Sequence, residues 1–351
     1  MALTKQEWLA LEKKAFELRN LCLDTTYWAG SGHIGGGMSV MDMLTILYHK
    51  YLNIKKDDPN WEDRDRFILS KGHSGIAYAP VLCDFGYNDP EQLKTFNLTN
   101  SKMGIHLDSN KVVGVDASTG SLGHGLSIAL GTALAARVLG KDYKTYCILG
   151  DGECDEGSNW EAAMSINAFH ATNVISFVDR NKCMIDGRTE DVMPLEPFAD
   201  KWRAFGFHVF DIDGHNMMEL SDAIDYALGE PDAPVMIIAN TIKGEGIDFM
   251  EDDYHWHYGA VDEAKYKEAK ESLKRHYEKR IARVEKEAKY WQADFHIQLL
   301  NPQSFQQRKS TARHLLTSVV SIRKSSVFQL TLQVLQRSVY SVKSFRIVSS
   351  T

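Results

Sequence analysis

The segment LGDGECDEGSNWEAAMSINAFHATNVISFVDRNKCMIDG, residues 149–187, constrains the fold more than any other part of the chain. It reads as a strand (Thr145 to Leu149), an acidic glycine turn (Gly150, Asp151, Gly152), a helix from Glu156 to Phe169, a second strand ending at Asp179, and then Asn181. The 30 positions from Asp151 to Asn181 match the length of one βαβ crossover. Adjacent parallel strands lie about 5 Å apart. Asp151 and Asn181 are therefore expected side by side at the carboxyl ends, where open α/β sheets bind ligands. One carboxylate, one amide oxygen and nearby backbone carbonyls make a hard-oxygen site suited to Mg2+ or Ca2+, with positions left open for phosphate oxygens. Gly150 and Gly152 would let the backbone approach a diphosphate. A bare glycine-aspartate-glycine triplet is more often a plain turn, and an asparagine in a loop a plain cap. The crossover spacing after a buried strand is what favours a ligand site.

The rest of the chain fits the same architecture. Thr4 followed by Glu7 predicts a capping box, and Leu11, Ala15, Leu18 and Cys22 recur on one helical face. Short β-branched or aromatic runs at Arg66 to Ser70, Asn173 to Asp179, His208 to Asp213 and Pro234 to Asn240 alternate with helical stretches. Several are nearly all apolar, as strands covered on both faces should be. The prediction is an α/β fold: a doubly wound, mostly parallel sheet with helices on both faces. Residues 262–291 read as one long, largely solvated helix, dense in helix formers and mixed charge. The expected organisation is a domain over 1–265, a charged helical extension over 266–295 and a basic tail over 296–351.

Charge is uneven along the chain. The last 56 residues hold eight Lys and Arg, 11 Ser and no Asp, Glu or Gly. The remainder holds all 47 acidic groups and 32 of the 40 basic ones, a net charge of −15, which argues against general nucleic-acid binding. The tail reads either as a disordered basic arm or as an extension that is not an evolved part of the protein, and the abrupt change in composition favours the second. No run of about eighteen apolar residues suggests a membrane span, and no secretory signal is visible. Five cysteines, an odd number without a CxxC pair, suggest a reduced cytoplasmic setting.

The glycine-aspartate-glycine to asparagine pattern resembles that of thiamine diphosphate enzymes. The flanking motifs SGHIGGGMS (31–39), LSKGHSGIAYAPVL (69–82), GIHLD (104–108), DASTGSLGHGLSIALG (116–131) and TIKGEGIDFMEDDYHWHYGA (241–260) resemble those of transketolase, in the family's order. The resemblance implies the diphosphate-binding domain of the thiamine diphosphate-binding fold. It also implies that Asp151, Asn181 and the carbonyl of Cys183 hold the metal, with Gly152 against the diphosphate. Gly120 and Leu122 would line the cofactor, and Ile185 would pack near its thiazolium ring. Glu156 matches a carboxylate at the interface with the aminopyrimidine-binding domain. His73 and His106 would sit near the cofactor and the reacting carbons, while His33 and His257 would contact substrate oxygens. His255 is a weaker stand-in for His257. Histidines in such turns suit proton movement on hydroxyls at neutral pH. His124, His170, His208, His215, His276, His296 and His314 match no family position.

Two departures stand out: Ile34 and Gly35 to Gly37 follow His33 where many transketolases have proline, and Gly123, His124 and Gly125 replace a glycine-glutamine-glycine. The first fits transketolases divided over two chains. No second αβ pattern follows Ala260, so neither the glutamate that activates the cofactor nor the arginines for substrate phosphate are expected here. The resemblance thus implies an amino-terminal subunit that transfers two-carbon ketol units between sugar phosphates only with a carboxy-terminal companion, as a heterotetramer that also self-associates. The rival readings are the α subunit of a 2-oxo acid dehydrogenase, which shares the metal pattern but would lack SGHIGG, SKGH and GSLGHG, and a non-catalytic cofactor-binding half.

Overall fold

The computed structural model describes residues 3–294; the tail over 296–351, with the expectations made for it, lies outside the described residues. Chain order begins with α1 (Lys5–Ala29), α2 (Ile34–Ile46), a π-helical turn (Leu47–Tyr51), β1 (Arg66–Leu69), α3 (Gly75–Phe85), α4 (Gly125–Leu139) and β2 (Thr145–Gly150). It continues with α5 (Gly157–Ala168), β3 (Val174–Arg180), α6 (Thr189–Val192), α7 (Phe198–Ala204), β4 (His208–Asp213), α8 (Met217–Leu228), β5 (Val235–Asn240) and α9 (Glu263–Asp294). The capping box at α1 forms as predicted: the Glu7 amide donates to Thr4 Oγ1 at 3.2 Å, and the Thr4 amide donates to Glu7 Oε2 at 2.8 Å.

Among the described residues, five strands form one sheet in the order β1-β2-β3-β5-β4, and every pairing is parallel. Strands β2 and β3 are buried along their whole length, which explains why they read as largely apolar runs without polar alternation. One face of the sheet packs on α4, α5 and α7, where Leu126, Ala129, Ile166 and Trp202 meet Cys147, Val178 and Ile238. On the other, Phe67 of β1 packs edge-on against Tyr48 and against Tyr78 of α3. Right-handed crossovers put successive helices on one face while the strand order advances and on the other where it reverses, as between β4 and β5.

The boundary expected near residue 265 falls in the first turn of α9, and the helix packs back on α1. Ala269, Leu273, Arg280, Val284 and Ala288 are buried on its inner face, and Phe16 stacks on Tyr277 with ring centroids 4.6 Å apart. The opposite face is the solvated one that the charge pattern indicated. Among the described residues, no helix is long and apolar enough to cross a membrane. All five cysteines are buried free thiols.

Candidate active site

The β2-α5-β3 crossover places Gly150 in register with Asp179. Asp151 and Asn181 thus leave neighbouring strands at the same end of the sheet, both buried. Asp151 Oδ1 accepts from the Gly152 amide at 2.9 Å, and Oδ2 accepts from the Lys182 amide at 2.5 Å. Asn181 Oδ1 accepts from the Cys183 amide at 3.1 Å. Asp151 is thereby tied to the loop that carries Asn181 and Cys183. Burial, reinforced by nearby Asp179, pushes the Asp151 carboxyl up to about 6. A buried acid raised in this way gains from a neighbouring cation. The Cys183 carbonyl accepts a hydrogen bond from Lys243 Nζ at 3.1 Å and keeps a second lone pair.

Three of the expected histidines gather in a triangle. His33 precedes the first turn of α2, His73 lies in the turn after β1, and His257 lies in the turn Tyr254–His257. Their ring centroids are 5.1 Å apart for His33 and His73, 5.2 Å for His33 and His257, and 5.2 Å for His73 and His257. Burial lowers all three, with nearby cations adding: His33 to about 4, His257 to about 3, and His73 well below its ordinary value. The rings are neutral at neutral pH. His255 is exposed and bonded to Asp253 at 2.7 Å, away from the triangle.

His106 stands beside this group, against Gly120. A Cβ on Gly120, whose φ is +150°, would lie 2.8 Å from His106 Cδ2. Leu122 is half-buried in the same turn. A Cβ on Gly152 would lie 3.0 Å from Met184 Cγ, so this glycine lets the 181–188 loop fold over the turn that carries Asp151. Glu156, at the start of α5, and Ile185, 66% exposed, stand on the surface.

The sequence reading passed over four buried charged residues of the site. Lys71 Nζ donates to Asp179 Oδ2 at 2.5 Å and to the Gly36 carbonyl at 3.1 Å. Ser39 Oγ donates to the same Asp179 oxygen at 2.6 Å. The Glu153 carboxylate accepts from the Gly150 amide at 2.9 Å, the Gly123 amide at 2.9 Å and the Ser70 hydroxyl, which ties the ends of β1 and β2 to the 120–125 turn. Lys243 Nζ donates to the carbonyls of Cys183 and Met184 and to His257 Nδ1, at 3.1, 3.2 and 3.1 Å. An ammonium can only donate, so the His257 proton sits on Nε2. Burial pushes Lys243 down to about 8, and among the described residues no carboxylate forms an ion pair with it. Each of the four lies in or beside a motif, as a charged residue within a glycine-rich or apolar run.

The family model described as transketolase, thiamine diphosphate binding domain, matches residues 11–308. A 6-deoxy-6-sulfo-D-fructose transketolase subunit from a Clostridium species is 41% identical over 270 residues, 77% of this chain and 98% of that protein. An apulose-4-phosphate transketolase subunit from Phocaeicola vulgatus is 38% identical over 280 residues, 79% of this chain and 97% of that protein. Human transketolase is 35% identical over 258 residues, 72% of this chain but only 40% of the human protein. Among solved structures, the transketolase from Leishmania mexicana superposes with a TM-score of 0.71 at 27% identity, covering 80% of this chain and 46% of that one. The transketolase from Campylobacter jejuni gives 0.70 at 30% identity, with 80% and 48% covered. The chain thus spans less than half the length of these solved transketolases. The match over most of the chain, with site geometry to suit, decides against the 2-oxo acid dehydrogenase alternative: the chain belongs to the transketolase family, on its amino-terminal, thiamine diphosphate-binding side.

Proposed function

We propose that this chain is the diphosphate-binding half of a two-subunit, cytoplasmic transketolase that moves a two-carbon ketol unit from a ketose to an aldose. The working unit would be a heterotetramer, with two of these chains, two carboxy-terminal companions, and each cofactor bound where unlike chains meet. The observation that carries this reading is the neutral histidine triangle set beside the Asp151 to Cys183 loop. Matches over nearly the full length of relatives named as subunits support the division into two chains.

The donor set fits the cofactor. Asp151, Asn181 and the Cys183 carbonyl would hold Mg2+, or Ca2+, as hard oxygen ligands. Gly152, Lys71 and Lys243 would face the diphosphate, whose negative charge compensates the unpaired Lys243 ammonium. Gly120, Leu122 and Ile185 would line the remainder of the cofactor, and Glu156 would meet the companion. When bound, thiamine diphosphate supplies the carbanion that ketol transfer needs. The chain's own part is proton handling. His33 and His73, neutral at pH 7, can accept a hydroxyl proton, while His257 can donate from Nε2 to a substrate oxygen; His106 completes the wall near the reacting carbons. The two named relatives act on a sulfonated and a phosphorylated sugar, so an anionic ketose is the donor class proposed here.

Native mass spectrometry and ketol-transfer assays on the complex from its own cells test this function. A companion chain in equal number, with thiamine diphosphate and a divalent ion, is expected. Full activity from this chain alone would sink the two-subunit proposal. Asp151→Asn keeps the side-chain shape, and it should abolish metal-dependent cofactor binding by calorimetry while leaving the fold intact. Unchanged affinity would overturn the metal assignment.

A further inference from the structure

Two short segments, residues 30–33 and 257–260, meet at the rim of the histidine triangle. Gly32 and Gly259 exchange both backbone hydrogen bonds, each 3.0 Å. This pairing sets Ser31 beside Tyr258, with hydroxyl oxygens 2.7 Å apart. The Tyr258 ring stands steeply against His33, with centroids 4.8 Å apart and ring planes at 69°. The three histidines are half-buried, whereas Tyr258 is 44% exposed. A large aromatic held from both sides yet left open is a prepared contact surface, apolar over its ring and polar at its tip.

We propose that Tyr258 and Ser31 form a specificity-determining ledge that receives the carbon chain of the sugar. The ring packs on sugar C–H groups and the paired hydroxyls bond one sugar hydroxyl. Two hydroxyls carry two donors, and their mutual bond uses one, so one donor and several lone pairs remain for a ligand. Neither side chain is charged. The ledge therefore selects the hydroxylated middle of the substrate, and its phosphate or sulfonate must be recognised elsewhere. This inference rests on the ketol-transfer function proposed above and adds which part of the substrate this chain recognises.

The test uses the assembled two-subunit complex with fructose 6-phosphate, apulose 4-phosphate and 6-deoxy-6-sulfofructose as donors, together with single-deoxy analogues of the donor turned over best. Tyr258→Phe should raise KM about 3- to 10-fold, the range of one neutral hydrogen bond, with kcat nearly unchanged. It should also erase discrimination against one deoxy analogue, which a merely structural role would not do. Tyr258→Ala should raise KM further, while thiamine diphosphate affinity and subunit stoichiometry stay as in the wild type. An active wild-type complex whose Tyr258→Phe variant keeps both KM and analogue discrimination overturns the ledge alone. A Tyr258→Ala variant that fails to assemble with its companion makes Tyr258 an interface residue and likewise overturns it. A wild-type complex inactive on every donor removes the proposed function, and the ledge with it.

Discussion

Arg280→Ala should cost the chain about 3–5 kcal/mol of stability, the usual range for breaking a buried ion pair. Asp42 is fully buried in α2 and accepts five hydrogen bonds: two from Arg19, two from Arg280 and one from His215 Nδ1. Arg280, on the inner face of α9, also bonds Glu12 through Nε. Without Arg280, Asp42 keeps Arg19 and His215, but among the described residues buried Glu12 keeps only Trp8 Nε1, at 2.9 Å. Three charge-assisted bonds of about 1.5–3 kcal/mol each would sum higher. They share partners in one network and do not add, so the ion-pair range applies. The assay is urea unfolding of the cofactor-free chain, with Arg275→Ala as control. Arg275 pairs with Asp248 on the same helix's outer side, but both side chains are about half exposed, at 51% and 53%. Its loss should move the unfolding midpoint far less than the loss of Arg280, because solvent screens so exposed a pair. Equal shifts in the two variants would refute the assignment of α9 to the folded core. A chain cut before residue 263 should fail to unfold cooperatively, because it loses Arg280 and uncovers the apolar face of α1.

Gly120→Ala should cost about 1–3 kcal/mol, since it places a Cβ where φ is +150° and His106 lies 2.8 Å away. The assembled enzyme should also lose kcat several-fold as the imidazole is displaced, and a variant with unchanged melting and turnover would refute the packing argument. Acid titration checks the histidine triangle. With the folded pKa of His33 near 4 and the ordinary value at 6.5, the unfolded chain binds the extra proton between those pH values. Stability from this ring is therefore complete above pH 6.5 and declines as pH falls toward 4, by at most about 1.4 kcal/mol per pH unit. In urea melts across that window, His33→Asn should flatten the slope, and identical slopes in variant and wild type would contradict a neutral His33.

The readable parts of this chain were those whose signals are local. The crossover between Asp151 and Asn181 is fixed by spacing, and the first helix by a cap four residues from the end and a single apolar stripe. The histidine motifs were legible one at a time, but their triangle was not, because Gly32 and Gly259 join segments more than two hundred positions apart. That same contact separates His257 from His255, a choice that motif spacing alone left loose. Helix α9 carried its buried stripe at Ala269, Leu273, Arg280, Val284 and Ala288, diluted by so many lysines and glutamates that the solvated face dominated the pattern. Arg280 sits in that stripe and reads as one more surface charge until Asp42 and Glu12 are seen facing it. Lys71 and Lys243 pose the same problem within the motifs: a sequence shows that a charge stands among glycines and apolar residues, but not what compensates it. For Lys71 the answer is Asp179, 108 positions away. For Lys243 the described residues supply two carbonyls and an imidazole as hydrogen-bond acceptors, while the carboxylates of Asp151 and Asp179 act on it only from beyond ion-pair distance. A cation kept buried on neutral acceptors alone is costly to the fold by itself and favourable once an anion arrives, and Lys243 stands beside the carbonyl proposed to hold the metal of an anionic cofactor.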